Sequence, residues 1–316
     1  MHVKSPDRQG FTLIELSIVL VIIGLIVGGV LVGQDLIRAG EVRATITQVE
    51  KYNTAANTFR GRFGYLPGDI PNPTAGQFGF ATRGVYYGEG DGNGILDGVT
   101  WNGSTGGGGN YGSAAGETAM FWVDLSSAAA GTLIDGGFNT ATPNVVPGAD
   151  ITGTNINLYL PQAKIGRGNY FYVHSTTYWN GSTSVDLGIN YFGLSAVNNI
   201  AASSRFGYVL STANIPVSQA YAIDSKIDDG MPQSGNVMAW YLGVNGDLKW
   251  TDGTDATSSA NQPKPTTTAI AGSSTTCYDN SSTTSGTPGI ANATQHYSLE
   301  ISNGAGANCA LSFKFQ

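Results

Sequence analysis

The sequence predicts an α+β protein in which a long N-terminal helix is packed on the antiparallel β-sheet of a globular head. Three observations carry this. Gln9 to Gly33, QGFTLIELSIVLVIIGLIVGGVLVG, is apolar over a membrane-spanning length. From Val42 onward the apolar positions keep a helical step, and beyond about residue 70 the chain turns to short β runs punctuated by Gly, Asn and Thr. The organisation read from this is a leader at 1–10, a transmembrane helix at 11–33, an amphipathic continuation at 34–63, and a head at 64–316.

The leader is short and polar, and its Lys4 and Arg8 place the N-terminus on the cytoplasmic side. The apolar run from Leu16 to Val32 is 17 residues long, near the lower limit for a span. An ordinary secretory signal would end in a small-residue cleavage site, and none follows. Gly24, Gly28, Gly29 and Gly33 give two small-xxx-small spacings, which let helix backbones approach closely, although glycine is common in membrane helices anyway. Val42, Ile46, Val49, Tyr52, Ala56, Phe59 and Phe63 then recur every three or four residues. That pattern predicts an amphipathic helix to about Arg60, stopped near Gly61 or Gly64 by the turn Tyr65 to Asp69, YLPGD. Further helices are expected at Glu117 to Ala129 and at Val217 to Ile227, the latter opened by Pro216 and closed by Gly230. Expected strands are Asn169 to Thr176, Ser184 to Phe192, Gly207 to Ser211, Asn236 to Val244, Gly246 to Trp250 and Cys309 to Phe315, with a hairpin turn at Val244 to Asp247.

Glu15 is the anomaly of the apolar segment. A carboxylate there costs roughly 2.5 to 3.5 kcal/mol on insertion scales. Snorkelling to the headgroups would explain its tolerance. Cleavage after Gly10 would instead create an amine on Phe11, and Glu15 lies one helical turn along, within reach of that ammonium or a neighbour's. The carboxylate also suits the positive end of the helix dipole.

Gly10 to Gly24, GFTLIELSIVLVIIG, resembles the class III leader and N-terminal helix of type IV pilins and pseudopilins. The resemblance implies cutting between Gly10 and Phe11 by a prepilin peptidase, N-methylation of Phe11, and pairing of Glu15 with such an amine when subunits stack. It further implies an inner-membrane precursor, held by lipid before assembly, that an inner-membrane machinery builds with other pilin subunits into a periplasmic or extracellular filament. Many pilins carry a proline near the end of this segment, where the present chain has Val30, Leu31 and Val32. Thr58 to Ile70, GDGNG at 90–94, ETAMFWVDL at 117–125, LPQAKIG at 160–166 and AIDSKIDDGMPQSGNV at 222–237 are similar to stretches of large pilin-like proteins. A minor tip subunit with an adhesin or ligand-binding head is the alternative role.

The formal net charge of −7 disfavours bulk nucleic-acid binding. Cys277 and Cys309 both fall in the expected exported head, where a disulfide is the simplest reading, ahead of free thiols or a metal pair. Catalysis finds little support: His2, His174 and His296 are scattered, and there is no H-E-x-x-H, G-x-S-x-G or P-loop. A tethered hydrolase would need His174 or His296 to converge with carboxylates in a cleft. No cofactor is required, and Ca²⁺ is the one candidate ion. Glu89, Asp91 and Asn93 occupy positions 1, 3 and 5 of an EF-hand-like register, Gly94 the sharp turn, Ile95 the carbonyl position and Asp97 position 9. Thr100 stands where a bidentate Glu is required, and a plain Gly/Asn/Asp turn accounts for the same residues.

Overall fold

A computed structural model describes residues 12–83, 90–96, 98, 114–138, 150–179, 184–202, 207–243, 248–251, 276–279, 296–299 and 304–315. The chain divides into two compact units, Met1–Glu41 and Val42–Gln316. The longest element, helix α1 (Leu13–Phe63), begins in the first and ends in the second.

In the first unit the helix has no face turned inward. Leu16, Ile18, Val19 and Leu20 through Leu31 and Ile37 are at least half exposed wherever they are large and apolar. Uniform apolarity rather than a stripe is the signature of a helix solvated by lipid or by other helices. It is long and apolar enough to cross a membrane.

The second unit is built round the amphipathic half of α1. Val42, Val49, Tyr52, Ala56 and Phe59 are buried there, and Gly64, with φ +79°, ends the helix by returning its N–H to Arg60. Helix α2 (Thr74–Gln77) is a single turn, and α3 (Glu117–Ser126) sets Trp122 against Tyr52 at 4.9 Å between ring centroids. The expectation for α3 ran on to Ala129. Ser127 stops it by turning extended and hydrogen-bonding Asp124 O through both its N–H and its hydroxyl.

The main sheet is antiparallel and six-stranded: β1 (Ile151–Thr152), β2 (Asn169–Trp179), β3 (Ser184–Ala202), β4 (Gly207–Thr212), β5 (Val237–Met238) and β10 (Leu311–Lys314). The 19-residue β3 organises it, pairing with β2 and β10 along its first part and with β1 and β4 further on. Both faces of the sheet centre are covered. Phe171 meets Tyr52 of α1 at 5.3 Å and Phe192 meets Phe121 of α3 at 5.8 Å. On the opposite face a hairpin of β6 (Trp240–Leu242) and β7 (Leu248–Trp250) seats Trp240 on Tyr191 at 5.3 Å. The expected hairpin turn at 244–247 lies outside the described residues, but the two flanking strands pair as a hairpin requires.

A closed hydrogen-bond circuit joins that face to the hairpin. Leu242 N–H donates to Tyr172 Oη (3.1 Å), which contacts Ser195 Oγ (2.9 Å), which donates to Ser211 Oγ (2.6 Å), which returns to Leu242 O (2.5 Å). Each hydroxyl polarises the next in a buried setting. The circuit also explains why β3 passes through Gly193, where the sequence suggested a strand ending at Phe192. The Tyr172 ring lies across the glycine so closely that a Cβ there would sit 2.1 Å from its Cε2. The expected strand Asn236 to Val244 is split instead. Ala239 donates its N–H to Pro232 O and accepts from Thr251, so β5 pairs with β10 while β6 pairs with β7.

After β4 the chain forms α4 (Val217–Ile227), with the bounds the sequence predicts. The short pair β8 (Tyr278–Asp279) and β9 (His296–Tyr297) follows, and a disulfide joins Cys277 to Cys309.

Candidate functional site

Glu15 and Thr12 cap the start of α1 reciprocally. Glu15 Oε2 accepts from Thr12 N (2.8 Å) and Oγ1 (2.7 Å), while Glu15 N donates to Thr12 Oγ1 (3.3 Å). This is a T-x-x-E capping box, and it satisfies backbone donors that the first helical turn leaves without partners. Glu15 is thus held in the first turn by its own chain. Gly10 and Phe11 lie outside the described residues. Gly24, Gly28, Gly29 and Gly33 have no atom within 4 Å of where a Cβ would stand, leaving four shallow places on an exposed apolar helix.

The calcium expectation meets a different arrangement in the head. Glu89 and Asp97 lie outside the described residues. Asp91 and Asn93 hydrogen-bond their own loop: Asp91 Oδ1 accepts from Asn93 N at 3.0 Å and Asn93 Oδ1 from Ile95 N at 2.6 Å, the Asx turns of the plain-turn reading. The carboxylates that the loop wraps come from elsewhere. Asp69, from the YLPGD turn, accepts Gly92 N (2.8 Å) and Gly94 N (3.0 Å), and Glu117, first residue of α3, accepts Gly90 N (2.8 Å) and Asp91 N (3.2 Å). One oxygen from each of Asp69, Asp91 and Glu117 falls within 4.8 Å of the others. Burial raises the Asp69 carboxyl to about 6, Asp91 adding to the rise and the loop N–H groups opposing it.

A buried ion pair backs this loop. The Arg83 guanidinium contacts both oxygens of Asp124, each side chain about 1% exposed, and Gly68 N donates to the same carboxylate at 2.7 Å. Burial pushes the Asp124 carboxyl up while Arg83 pulls it down. Gly68 is required there: its φ is +90°, and a Cβ would stand 2.3 Å from Glu117 O.

Among the described residues, His174 and His296 do not come together as a catalytic pair. His174 is fully buried, stacked on Tyr191, with Nε2 3.1 Å from Ser312 Oγ, and burial lowers it to about 4, so it is neutral at physiological pH. His296 lies exposed on β9. The described residues also form a cleft of about 650 Å³ beside α1, lined by Gln48, Lys51, Tyr52, Ile134, Phe138 and Leu160 among others. Lys51 bridges to Asp135 at its rim, at 2.5 Å.

Residues 6–31 match the family model of the prokaryotic N-terminal methylation motif. This is the prepilin-type signal, and it spans Gly10 and Phe11, where cleavage is expected, together with Glu15 and most of the exposed apolar segment. No curated protein and no solved structure matches the chain. The motif implies processing by a prepilin peptidase and assembly with other pilin subunits, and it supports a type IV pilin- or pseudopilin-like processed precursor. Asp69, Glu117, Asp124 and Arg83 were missed by sequence reasoning. Only Gly68 and the acidic residue beside it in YLPGD hinted at them, since a glycine in a fixed turn often marks close backbone approach.

Proposed function

We propose that the chain is a structural, non-enzymatic subunit of a type IV pilus or a related type II secretion-like filament. It is made as an inner-membrane precursor, cut between Gly10 and Phe11, methylated on Phe11, and assembled through its N-terminal helix with Glu15 pairing to a neighbour's amine. The observation that carries this is the methylation motif running directly into an exposed apolar helix with one carboxylate in its first turn. N-terminal mass spectrometry of the exported protein tests it. The expected mature chain starts with N-methylated Phe11, and a retained leader or another start refutes the proposal.

The cleft beside α1 favours a second reading, a minor tip subunit whose head binds a ligand, because its volume falls in the range of small-molecule sites. Subunit abundance along purified filaments separates the two. We also propose Ca²⁺ as a stabilising ion of the 90–95 loop, supported by the carboxylates of Asp69 and Glu117 that the fold adds to Asp91.

A further inference from the structure

Asn93 and Gly94 form an Asn-Gly pair in the loop that Asp69 and Glu117 hold, and Asn93 is exposed to solvent. Both polar atoms of its side-chain amide have partners. Oδ1 accepts from Ile95 N at 2.6 Å, and Nδ2 donates to Asp91 Oδ2 at 3.0 Å. These two contacts fix the orientation of the amide, since turning it over would set an NH₂ group against an N–H donor and an oxygen against a carboxylate. The Asx turn folds the side chain back over the next peptide, which places Cγ beside the nitrogen of Gly94. That nitrogen is itself engaged. It donates to Asp69 Oδ2 at 3.0 Å, while Gly94 O accepts from Asn190 Nδ2 at 2.9 Å, so the residue is anchored at both its nitrogen and its carbonyl. Gly94 has a φ of +84° and no side chain to screen the nitrogen.

We propose that Asn93 is a self-modifying residue, which the loop converts to aspartate or isoaspartate through a cyclic imide. The Gly94 nitrogen attacks Asn93 Cγ, a new N–C bond closes the ring, and the proton of that nitrogen passes to Asp69 Oδ2. Negative charge grows on Asn93 Oδ1, where the Ile95 N–H already donates. The Cγ–Nδ2 bond then breaks, and Nδ2 takes a proton back from the Asp69 carboxyl through solvent and leaves as ammonia. Water cleaves the imide, at Cγ to give aspartate or at the backbone carbonyl to give isoaspartate. The net reaction exchanges ammonia for water, with no change in oxidation state. What the loop supplies is position: nucleophile, base and oxyanion donor are each held before the reaction begins. Conversion replaces a donor to Asp91 by a like charge, in a loop that already encloses the carboxylates of Asp69 and Glu117. The negative charge of the loop thus grows with the age of the molecule.

The test follows Asn93 by peptide mass spectrometry, with fragmentation that separates aspartate from isoaspartate. The full-length chain is incubated at neutral pH in detergent and chelator, so that no cation claims Asp69, beside a synthetic peptide of residues 89–97 and beside the same chain unfolded in guanidinium chloride. A fold that merely holds an asparagine rigid slows this reaction, so the direction of the difference is informative. Conversion in the folded chain should run several-fold faster than in the peptide, and the unfolded chain should fall back to the peptide rate. Asp69→Asn, which takes the base away from the Gly94 nitrogen, should bring the folded rate down to that of the peptide or below it. Folded conversion no faster than the peptide's overturns the proposal, and so does an undiminished rate in Asp69→Asn. Should that variant not fold, the parent decides alone: folded conversion that fails to exceed both the peptide and the unfolded chain overturns the proposal equally.

Discussion

Replacing Glu15 with Leu should separate anchoring from assembly. The carboxylate makes two hydrogen bonds to Thr12, at 2.8 and 2.7 Å, in a capping box whose loss costs about 1 kcal/mol. Removing a charge from an apolar span returns at most about 2.5 to 3.5 kcal/mol of insertion free energy, the value for a helix centre, and Glu15 sits in the first turn. The net change favours the membrane by at most about 2 kcal/mol, a ceiling of about 30-fold in partitioning. Glu15→Leu should therefore accumulate in the membrane fraction while falling out of sheared surface fibres, both read by immunoblot against the parent. Two companion variants isolate the cause. Thr12→Ala removes the cap and leaves the charge, so it should still enter fibres. Glu15→Gln keeps an oxygen acceptor for Thr12 but cannot attract an ammonium, so it should fail as Leu does. Fibre incorporation of Glu15→Leu or Glu15→Gln at the parental level would refute the docking role and leave Glu15 as a helix cap.

Asp124→Ala strands the Arg83 guanidinium in the interior and should cost about 3 to 5 kcal/mol in urea unfolding of the full chain. The double variant Arg83→Met with Asp124→Leu should recover much of that, and a single-variant loss below about 1 kcal/mol would contradict the buried pairing. The bond between Cys277 and Cys309, 32 residues apart in sequence, should contribute about 3 to 4 kcal/mol and protect both thiols from alkylation of the exported protein without reductant. Labelling of both thiols would show that other contacts hold the segment. Calcium should raise the melting temperature of the full chain relative to chelator, and Asp91→Ala should cancel the gain. Equal melting of the parent in both conditions removes the ion from the loop.

Legibility from sequence followed the range of the interactions. The methylation motif is a contiguous word, and α1 and α4 announce themselves through helical spacing, Pro216 and a terminal glycine, so their bounds came within a few residues. The capping box was written in Thr12 and Glu15 as T-x-x-E, yet the apolar context drew attention to the charge rather than to the cap. The acidic loop is the opposite case. Its local register suggests ligands from 89 to 97, and to Asp91 of that register the fold adds Asp69 and Glu117, which only the packing of the YLPGD turn against α3 brings to the loop. The division at Ala239 is likewise a tertiary event, since two different partner strands claim the residues on its two sides.

The Tyr172 ring over Gly193 joins two positions into a single unit of heredity. A mutation that gives residue 193 any side chain collides with the ring, and the ring cannot move without opening the hydroxyl circuit through Ser195, Ser211 and Leu242. A smaller residue at 172 makes room but leaves Leu242 N–H without its acceptor. Descent from one workable pair to another therefore passes through an unstable intermediate, so among diverged copies of this head the glycine and the tyrosine should be kept or lost together.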